Sequence, residues 1–93
     1  MALYLISYDI NEKDQFEYEP LWGKLKEIGA ARILYSEWII TGNDSARSIY
    51  DKLAPLTQLK DRLLVQEITK DAVWDKLLIQ DDTFRKWLAY ARG

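Results

Sequence analysis

Residues 2–10 predict a strand in the middle of a β-sheet. These positions are apolar at nearly every place until Ser7 and Asp9. β-Branched and aromatic residues fall on both faces of this run, a pattern typical of a strand buried on both sides. A carboxylate at the end of such a run is costly to bury unless it is paired, bound to metal or close to water. Asp9 is therefore the first candidate for a functional residue.

The next segments predict a helix followed by a hairpin. Apolar residues recur at helical spacing, Pro20 suits a first helical turn and Gly29 suits a C-terminal cap. The helix is predicted from about Glu19 to Ile28. Positions 31–35 and 37–41 are two strand-like runs, and the very short connection between them indicates a hairpin.

The middle of the chain predicts a second helix and a last main strand. Asn43 or Asp44 can cap this helix, and Pro55 ends it soon afterwards. Positions 62–69 hold the next apolar run, which is expected to form a strand.

The C-terminal part predicts a helical tail over 71–92. Asp71 is expected to cap a short helix that carries a stripe of Val73, Trp74, Leu77 and Leu78. A second helical stripe follows the acids at 81 and 82, formed by Phe84, Trp87, Leu88 and Ala91. On such a helix Asp71 and Asp75 share one face, where two acids can bind metal, although solvated acids are commoner.

The order of these elements predicts an α+β domain with a ferredoxin-like βαββαβ arrangement. A four-stranded antiparallel sheet then carries two helices on one face, and the first strand is central. One domain spans 1–93, with a core over 2–69 and a C-terminal helical extension over 71–92. The other sheet face must be covered by that tail or by a second protomer, so a homodimer is expected.

Composition excludes several classes of chemistry. The chain has 93 residues, no cysteine and no histidine, which removes disulfides, thiolate metal sites and every imidazole mechanism. Its net charge is −2 and it has no basic stripe, which argues against tight non-specific binding of duplex by one protomer. No leader and no membrane-spanning run is found in the sequence, so a cytoplasmic protein is expected.

Asp9 could bind a divalent cation, with magnesium the possible cofactor. A carboxylate at a strand end can hold the ion while waters and a phosphate complete its shell. In a symmetric dimer the second Asp9 could approach across the axis. The alternative is structural, because Asp9 could cap the following turn or pair with Arg32.

A second cluster lies in the hairpin. Arg32 could neutralise a phosphate, Ser36 could donate a hydrogen bond to it, and Trp38 could stack a base. The alternative is a core tryptophan with a surface pair between Arg32 and Glu37, worth under about 1 kcal/mol. Tyr8 lies on the opposite strand face from Asp9 and is expected in the core.

Two short motifs resemble signatures of known families. Positions 5–10 read Leu-Ile-Ser-Tyr-Asp-Ile and resemble the first strand of the small CRISPR-associated adaptation protein, the second Cas family. Positions 32–38 resemble that family's second signature, an Arg, then a Ser, then an aromatic residue. Small bacterial proteins labelled SinR-family or virulence-associated-protein-D-like look closer still. They share the opening strand, a Ser-x-Trp strand and a Leu-Leu-Val-x-Glu-Ile-Thr run, here 63–69, before a Trp-containing helix.

The resemblance implies a ferredoxin-like homodimer with Asp9 near its two-fold axis. Some members of the CRISPR family are magnesium-dependent nucleases, and others bridge an integrase subunit and hold DNA. Carried over to this chain, Asp9 would be the catalytic residue and metal ligand, Arg32 a phosphate contact and Trp38 the family's aromatic residue.

Two functions follow from these residues. The favoured one is a non-catalytic dimer that binds nucleic acid or protein, because positions 12–19 are largely acidic where that family is basic. The alternative is a magnesium-dependent endonuclease, a phosphodiesterase acting on RNA or DNA with Asp9 from both protomers.

Overall fold

The computed structural model describes residues 2–9, 15–57, 61–69 and 72–92, with the backbone alone at 15–18 and 90–92. Within these ranges the strands are β1 (Ala2–Asp9), β2 (Ala31–Leu34), β3 (Glu37–Gly42) and β4 (Arg62–Glu67). The helices are α1 (Gln15–Glu27), α2 (Ala46–Leu53) and α3 (Asp81–Arg92), and a 3₁₀ turn (Ala54–Leu56) follows α2. The predicted loop at 11–14 and the predicted cap at Asp71 lie outside the described residues.

The four strands form one antiparallel sheet, so the α+β class is confirmed. Their order across the sheet is β2-β3-β1-β4, which makes β1 an inner strand as its composition predicted. The predicted hairpin is confirmed as β2 and β3, joined by a two-residue turn. Its register shifts between Arg32 and Leu34, where the ladder is irregular.

Each face of the sheet is covered by helices from a different part of the chain. Tyr4, Ile6 and Tyr8 of β1 face α1 and α2. The full buried cluster on this side adds Leu21, Leu25, Trp38, Ile40, Ile49 and Leu53. On the opposite face, Phe84 and Leu88 of α3 pack with a second cluster of Leu3, Ile33 and Ile39.

The tail therefore supplies the cover that the second sheet face was expected to need. Of the two alternatives in the sequence, tail or second protomer, the tail accounts for the half of this face around Leu3 and Ile39. Covering this face of the sheet is therefore no longer a reason to expect a homodimer.

Helix α1 starts earlier than predicted and ends as predicted. It begins at Gln15, so Pro20 lies in its second turn and not in its first. Gly29 has a φ of 92°, which favours glycine. Its N–H donates to the Lys26 carbonyl at 3.1 Å, and the Ala30 N–H donates to the Leu25 carbonyl at 2.9 Å. This pair of bonds is the Schellman motif that a C-terminal glycine permits.

Helix α2 is capped by Ser45, so the prediction of Asn43 or Asp44 was wrong. The Ser45 side chain accepts a hydrogen bond from the Ser48 N–H at 3.0 Å. Asp44 is used elsewhere: its carboxylate pairs with Lys52 Nζ at 3.0 Å, and its carbonyl accepts from Tyr4 Oη at 2.6 Å.

The predicted helix over 71–78 was also wrong, because residues 72–80 form an irregular segment. Trp74 and Leu77 pack towards the second cluster, whereas Val73 is 98% exposed. Lys76, which lies between Trp74 and Leu77, has a φ of 56°. The Leu78 N–H donates to the Ile33 carbonyl at 2.9 Å, so this segment runs along the outer edge of β2.

Candidate functional site

The hydroxyl of Tyr8 joins three elements at one end of the sheet. It accepts hydrogen bonds from Trp22 Nε1 of α1 at 2.8 Å and from Trp38 Nε1 of β3 at 3.0 Å. It donates to the Tyr35 carbonyl in the β2–β3 turn at 3.3 Å. A phenol has one donor and two acceptor positions, so this hydroxyl is fully used. The prediction that Tyr8 belongs to the core is confirmed, since it is 6% exposed.

Arg32 is held beside this hydroxyl by aromatic rings and a carbonyl. Its guanidinium lies 4.6 Å from the centre of the Trp22 ring and 5.8 Å from that of Trp38. Its Nε and Nη2 both donate to the Tyr35 carbonyl, at 3.1 and 2.6 Å. Cation–π contacts of this kind stabilise a cation by about 0.5–1 kcal/mol where water has access. The guanidinium therefore has a fixed position.

A depression of about 330 Å³ opens beside Arg32, between α1 and β2. It is lined by Trp22, Lys26, Ala30, Arg32 and Trp38. Two of these five residues are cations, and no acid is among the described residues that line it. In a chain with a net charge of −2, this depression concentrates positive charge next to aromatic surface.

Asp9 lies on the other face of the sheet from Arg32 and Trp38. Side chains alternate along β1, so Tyr8 points towards α1 while Asp9 points away from it. The Asp9 carboxylate pairs with Arg62 Nη1 at 3.0 Å, and both side chains are largely exposed. The alternative pairing with Arg32 is therefore not observed. Of the four predicted site residues, Arg32 and Trp38 meet on one face of the sheet, whereas Asp9 lies on the other.

The surroundings of Asp9 offer few further ligands for a metal. The described residues contain no group of three or more Asp, Glu, His or Cys side chains placed to hold an ion. Ser7 is the next residue on the same face, and its Oγ donates to Glu37 Oε2 at 2.6 Å. A shallow depression of about 250 Å³ adjoins Asp9 and Arg62, with Leu63 and Leu64 in its wall.

Ser36 and Trp38 occupy different environments. Ser36 is exposed in the turn, and its carbonyl accepts from the Tyr8 N–H at 3.1 Å. Trp38 is 2% exposed, and its N–H is bound to Tyr8. Stacking of a base on Trp38 stays a prediction, and it would require the ring to leave the core.

Strand β4 carries the second surface of interest. It pairs with β1 along one edge, and no described strand pairs with its other edge. Leu64 is 52% exposed there. A depression of about 320 Å³ adjoins this edge, lined by Ala46, Arg47, Tyr50 and Val65.

Sequence reasoning missed Trp22 and Lys26 as site residues. Trp22 belongs to the apolar residues at helical spacing that predict α1, a pattern that indicates packing and gives Lys26 no role. The available signal was their spacing, because residues four apart share one face of a helix. A tryptophan and a lysine on that face can meet an arginine from the neighbouring strand.

No family model matches this chain. Among the described residues no helix is both long enough and apolar enough to cross a membrane.

Proposed function

We propose that this protein is a non-catalytic binding protein that acts as a homodimer of ferredoxin-like subunits. We place it as a distant relative of the second Cas family, nearer to the SinR-family and virulence-associated-protein-D-like bacterial proteins. The observation that carries the dimer is the outer edge of β4, which is unpaired in the part of the chain that the structure describes.

The order of elements supports the ferredoxin-like assignment. In that fold two helical crossovers connect four antiparallel strands, and both helices lie on one face. The strand order β2-β3-β1-β4, with α1 before β2 and α2 before β4, agrees with that arrangement. The relationship to these families is proposed from sequence, on the resemblance of the Tyr8-Asp9 strand end and of the hairpin from Arg32 to Trp38.

The backbone of β4 presents hydrogen-bonding groups at its open edge. The Ile68 N–H donates to the Leu3 carbonyl at 2.8 Å, which fixes the alternation of the β1–β4 ladder. Every second residue then faces β1, and the peptide groups of Leu63, Val65 and Glu67 face away. An open edge of this kind is a template for pairing with another chain.

The sequence of β4 is suited to pairing with itself. In an antiparallel pair with a two-fold axis at Leu64, Leu63 lies opposite the partner's Val65, and two exposed leucines meet at the axis. An axis at Val65 would instead oppose Leu63 and the partner's Glu67, an apolar and a charged residue. We therefore favour the axis at Leu64.

The environment of Asp9 favours a non-catalytic function over the nuclease. Its carboxylate already neutralises Arg62 in an exposed pair, and the described residues contain no group of three or more acids placed to hold a metal ion. Asp9 and Arg32 lie on opposite faces of the sheet, so a metal at Asp9 and a phosphate at Arg32 could not share one site. The acidic net charge also favours a protein partner over duplex nucleic acid.

Sedimentation velocity of the full chain tests the dimer. The wild type should sediment as twice 11.0 kDa at micromolar concentration. Leu64→Lys places two like charges at the axis and should give the monomer, whereas Leu78→Lys should remain dimeric. The two leucines are matched, since each is 52% exposed. A monomeric wild type, or equal effects of both substitutions, would contradict the pairing through β4.

Nuclease assays test the non-catalytic assignment. The protein is incubated with magnesium or manganese and with single- and double-stranded RNA and DNA, beside an Asp9→Asn variant. We expect no cleavage by either protein. Cleavage by the wild type that Asp9→Asn abolishes would overturn the proposal in favour of the metal-dependent endonuclease.

A further inference from the structure

The geometry points to a binding site for a small planar aromatic anion in the depression between α1 and β2. The anionic group lies between Lys26 and Arg32, and the ring of the ligand lies beside the stacked Arg32–Trp22 pair. This site goes beyond the proposed dimer, because it opens at the β2 side of the sheet whereas the dimer would form at β4.

The charge of the depression selects an anion. Lys26 and Arg32 both line it, and the described residues add no carboxylate to the lining. The nearest acid along α1 is Glu27, whose carboxylate pairs with Lys24 Nζ at 3.3 Å. Among the described residues, no carboxylate competes with a ligand of opposite charge for the two cations that line the cavity.

Arg32 retains donors for such a ligand. A guanidinium has five N–H groups, and two of them are committed to the Tyr35 carbonyl. The described residues provide no acceptor for the other three. Because the Trp22 ring and the Tyr35 carbonyl already hold the guanidinium in place, little side-chain entropy is lost when it binds an anion.

The indole rings favour a planar apolar group beside the charge. Trp22 and Trp38 both direct their N–H groups to Tyr8, so they line the cavity with carbon atoms, beside the guanidinium that lies over the Trp22 ring. A volume of about 330 Å³ lies at the small end of the range for ligand sites. It fits one ring system with one anionic group.

Two probes distinguish a ligand with a phosphate group from a ligand with a carboxylate group. Adenosine monophosphate joins a heteroaromatic ring to a phosphate, and indole-3-acetate joins one to a carboxylate. Adenosine and inorganic phosphate serve as half-ligands, since each supplies only one of the two features. Only a molecule that carries both a ring and an anionic group can contact the aromatic surface and the two cations of the depression together.

The four indole N–H resonances in a ¹⁵N-labelled sample report binding with an internal control. Trp22 and Trp38 line the depression, whereas Trp74 and Trp87 pack on the opposite face of the sheet. Either probe at millimolar concentration should shift the first pair and leave the second pair in place. The half-ligands should bind at least about tenfold more weakly, a difference of about 1.4 kcal/mol. No selective shift with either probe would overturn the site.

A matched pair of variants tests the role of charge. Lys26→Gln should weaken binding of the better probe about tenfold, because one charge-assisted contact is lost. Lys86→Gln removes the same charge from an exposed position of α3, on the opposite face of the sheet, and should change affinity by less than about twofold. Equal weakening by both would mean general attraction of anions and would contradict a specific site.

The Leu64→Lys variant separates this inference from the proposed dimer. We expect its resonances for Trp22 and Trp38 to shift with the probe as they do in the wild type. Loss of the shifts in a folded monomer would show that the depression depends on the dimer and would overturn its independence.

Discussion

Tyr8 shows how one buried polar atom can organise an end of the sheet. Its hydroxyl bonds to α1 through Trp22, to β3 through Trp38 and to the hairpin turn through the Tyr35 carbonyl. Buried indole N–H groups are costly when they lack an acceptor. Tyr8 therefore fixes the positions of both tryptophans, and through Trp22 it contributes to the position of Arg32.

Replacing Tyr8 tests this organisation. Tyr8→Phe removes the acceptor for both indoles while it keeps the ring, so we expect a loss of about 2 kcal/mol in the free energy of unfolding. Urea denaturation followed by circular dichroism measures this loss. Tyr35→Phe is the control, because that side chain is 78% exposed and only its carbonyl belongs to the network. An equal effect of both substitutions would contradict the account.

Tyr4 links the sheet to the start of α2 and makes stability depend on pH. Its hydroxyl donates to the Asp44 carbonyl at 2.6 Å. Burial raises the pKa of Tyr4 above its ordinary value of 10.0, and the nearby carboxylates of Glu67 and Asp44 raise it further. The folded protein thus holds this proton to higher pH than the unfolded chain does.

The sign of that shift gives a prediction for alkaline solution. The stabilisation is fully present below about pH 10 and is lost as pH rises through the raised pKa of the folded protein. Tyr4→Phe should cost about 1 kcal/mol at neutral pH through the lost hydrogen bond. The difference in unfolding free energy between wild type and variant should then shrink above pH 10. A difference that is constant to pH 11 would exclude this titration.

At the scale of elements, segment 72–80 explains the main error in the sequence prediction. Residues 72, 74, 77 and 79 all pack towards the second cluster. The predicted helical stripe was Val73, Trp74, Leu77 and Leu78, and only Trp74 and Leu77 of that stripe are among the residues that pack. The exposed positions Val73 and Leu78 instead divide the segment into two short alternating stretches. They are separated at Lys76, where the backbone enters the left-handed region.

Lys76 provides a test of that backbone conformation. A left-handed conformation costs a non-glycine residue about 1 kcal/mol or more, and a β-branched residue pays the most. Lys76→Gly should leave stability unchanged or raise it, whereas Lys76→Val should lower it by about 1–2 kcal/mol. Chemical denaturation of both variants measures the difference. Equal stability of the two would contradict a left-handed residue at this position.

The elements themselves were largely predictable, and the meeting of their side chains was not. The nearly continuous apolar run of β1 and the placement of Gly29 specified a strand and a helix end because both depend on local chemistry. Asp9 pairs with Arg62, which is distant in sequence and was not considered as its partner. Arg32 and Trp38 share a face only through the irregular register of the hairpin. Such contacts depend on how elements pack, which no local pattern records.

At the scale of the whole molecule, the chain covers its sheet from both sides with separate helices. Helices α1 and α2 bury one face, and α3 with the segment before it buries much of the other. The four tryptophans divide between these layers, two on each. The layer with Trp22 carries the proposed ligand site, and the distant edge at β4 carries the proposed self-pairing.

The difference between the two rims of the sheet limits how large an assembly can grow. At the β2 edge, the Leu78 N–H already donates to the Ile33 carbonyl, so the 72–80 segment obstructs pairing with a strand from another molecule there. Only the rim at β4 is available among the described residues. In the proposed dimer, a subunit with one open edge would pair once through β4, and the closed pair would have no open edge left for growth into fibres. Displacing the 72–80 segment from β2 would leave each molecule with two open sheet edges, and open-ended association of strands requires at least two.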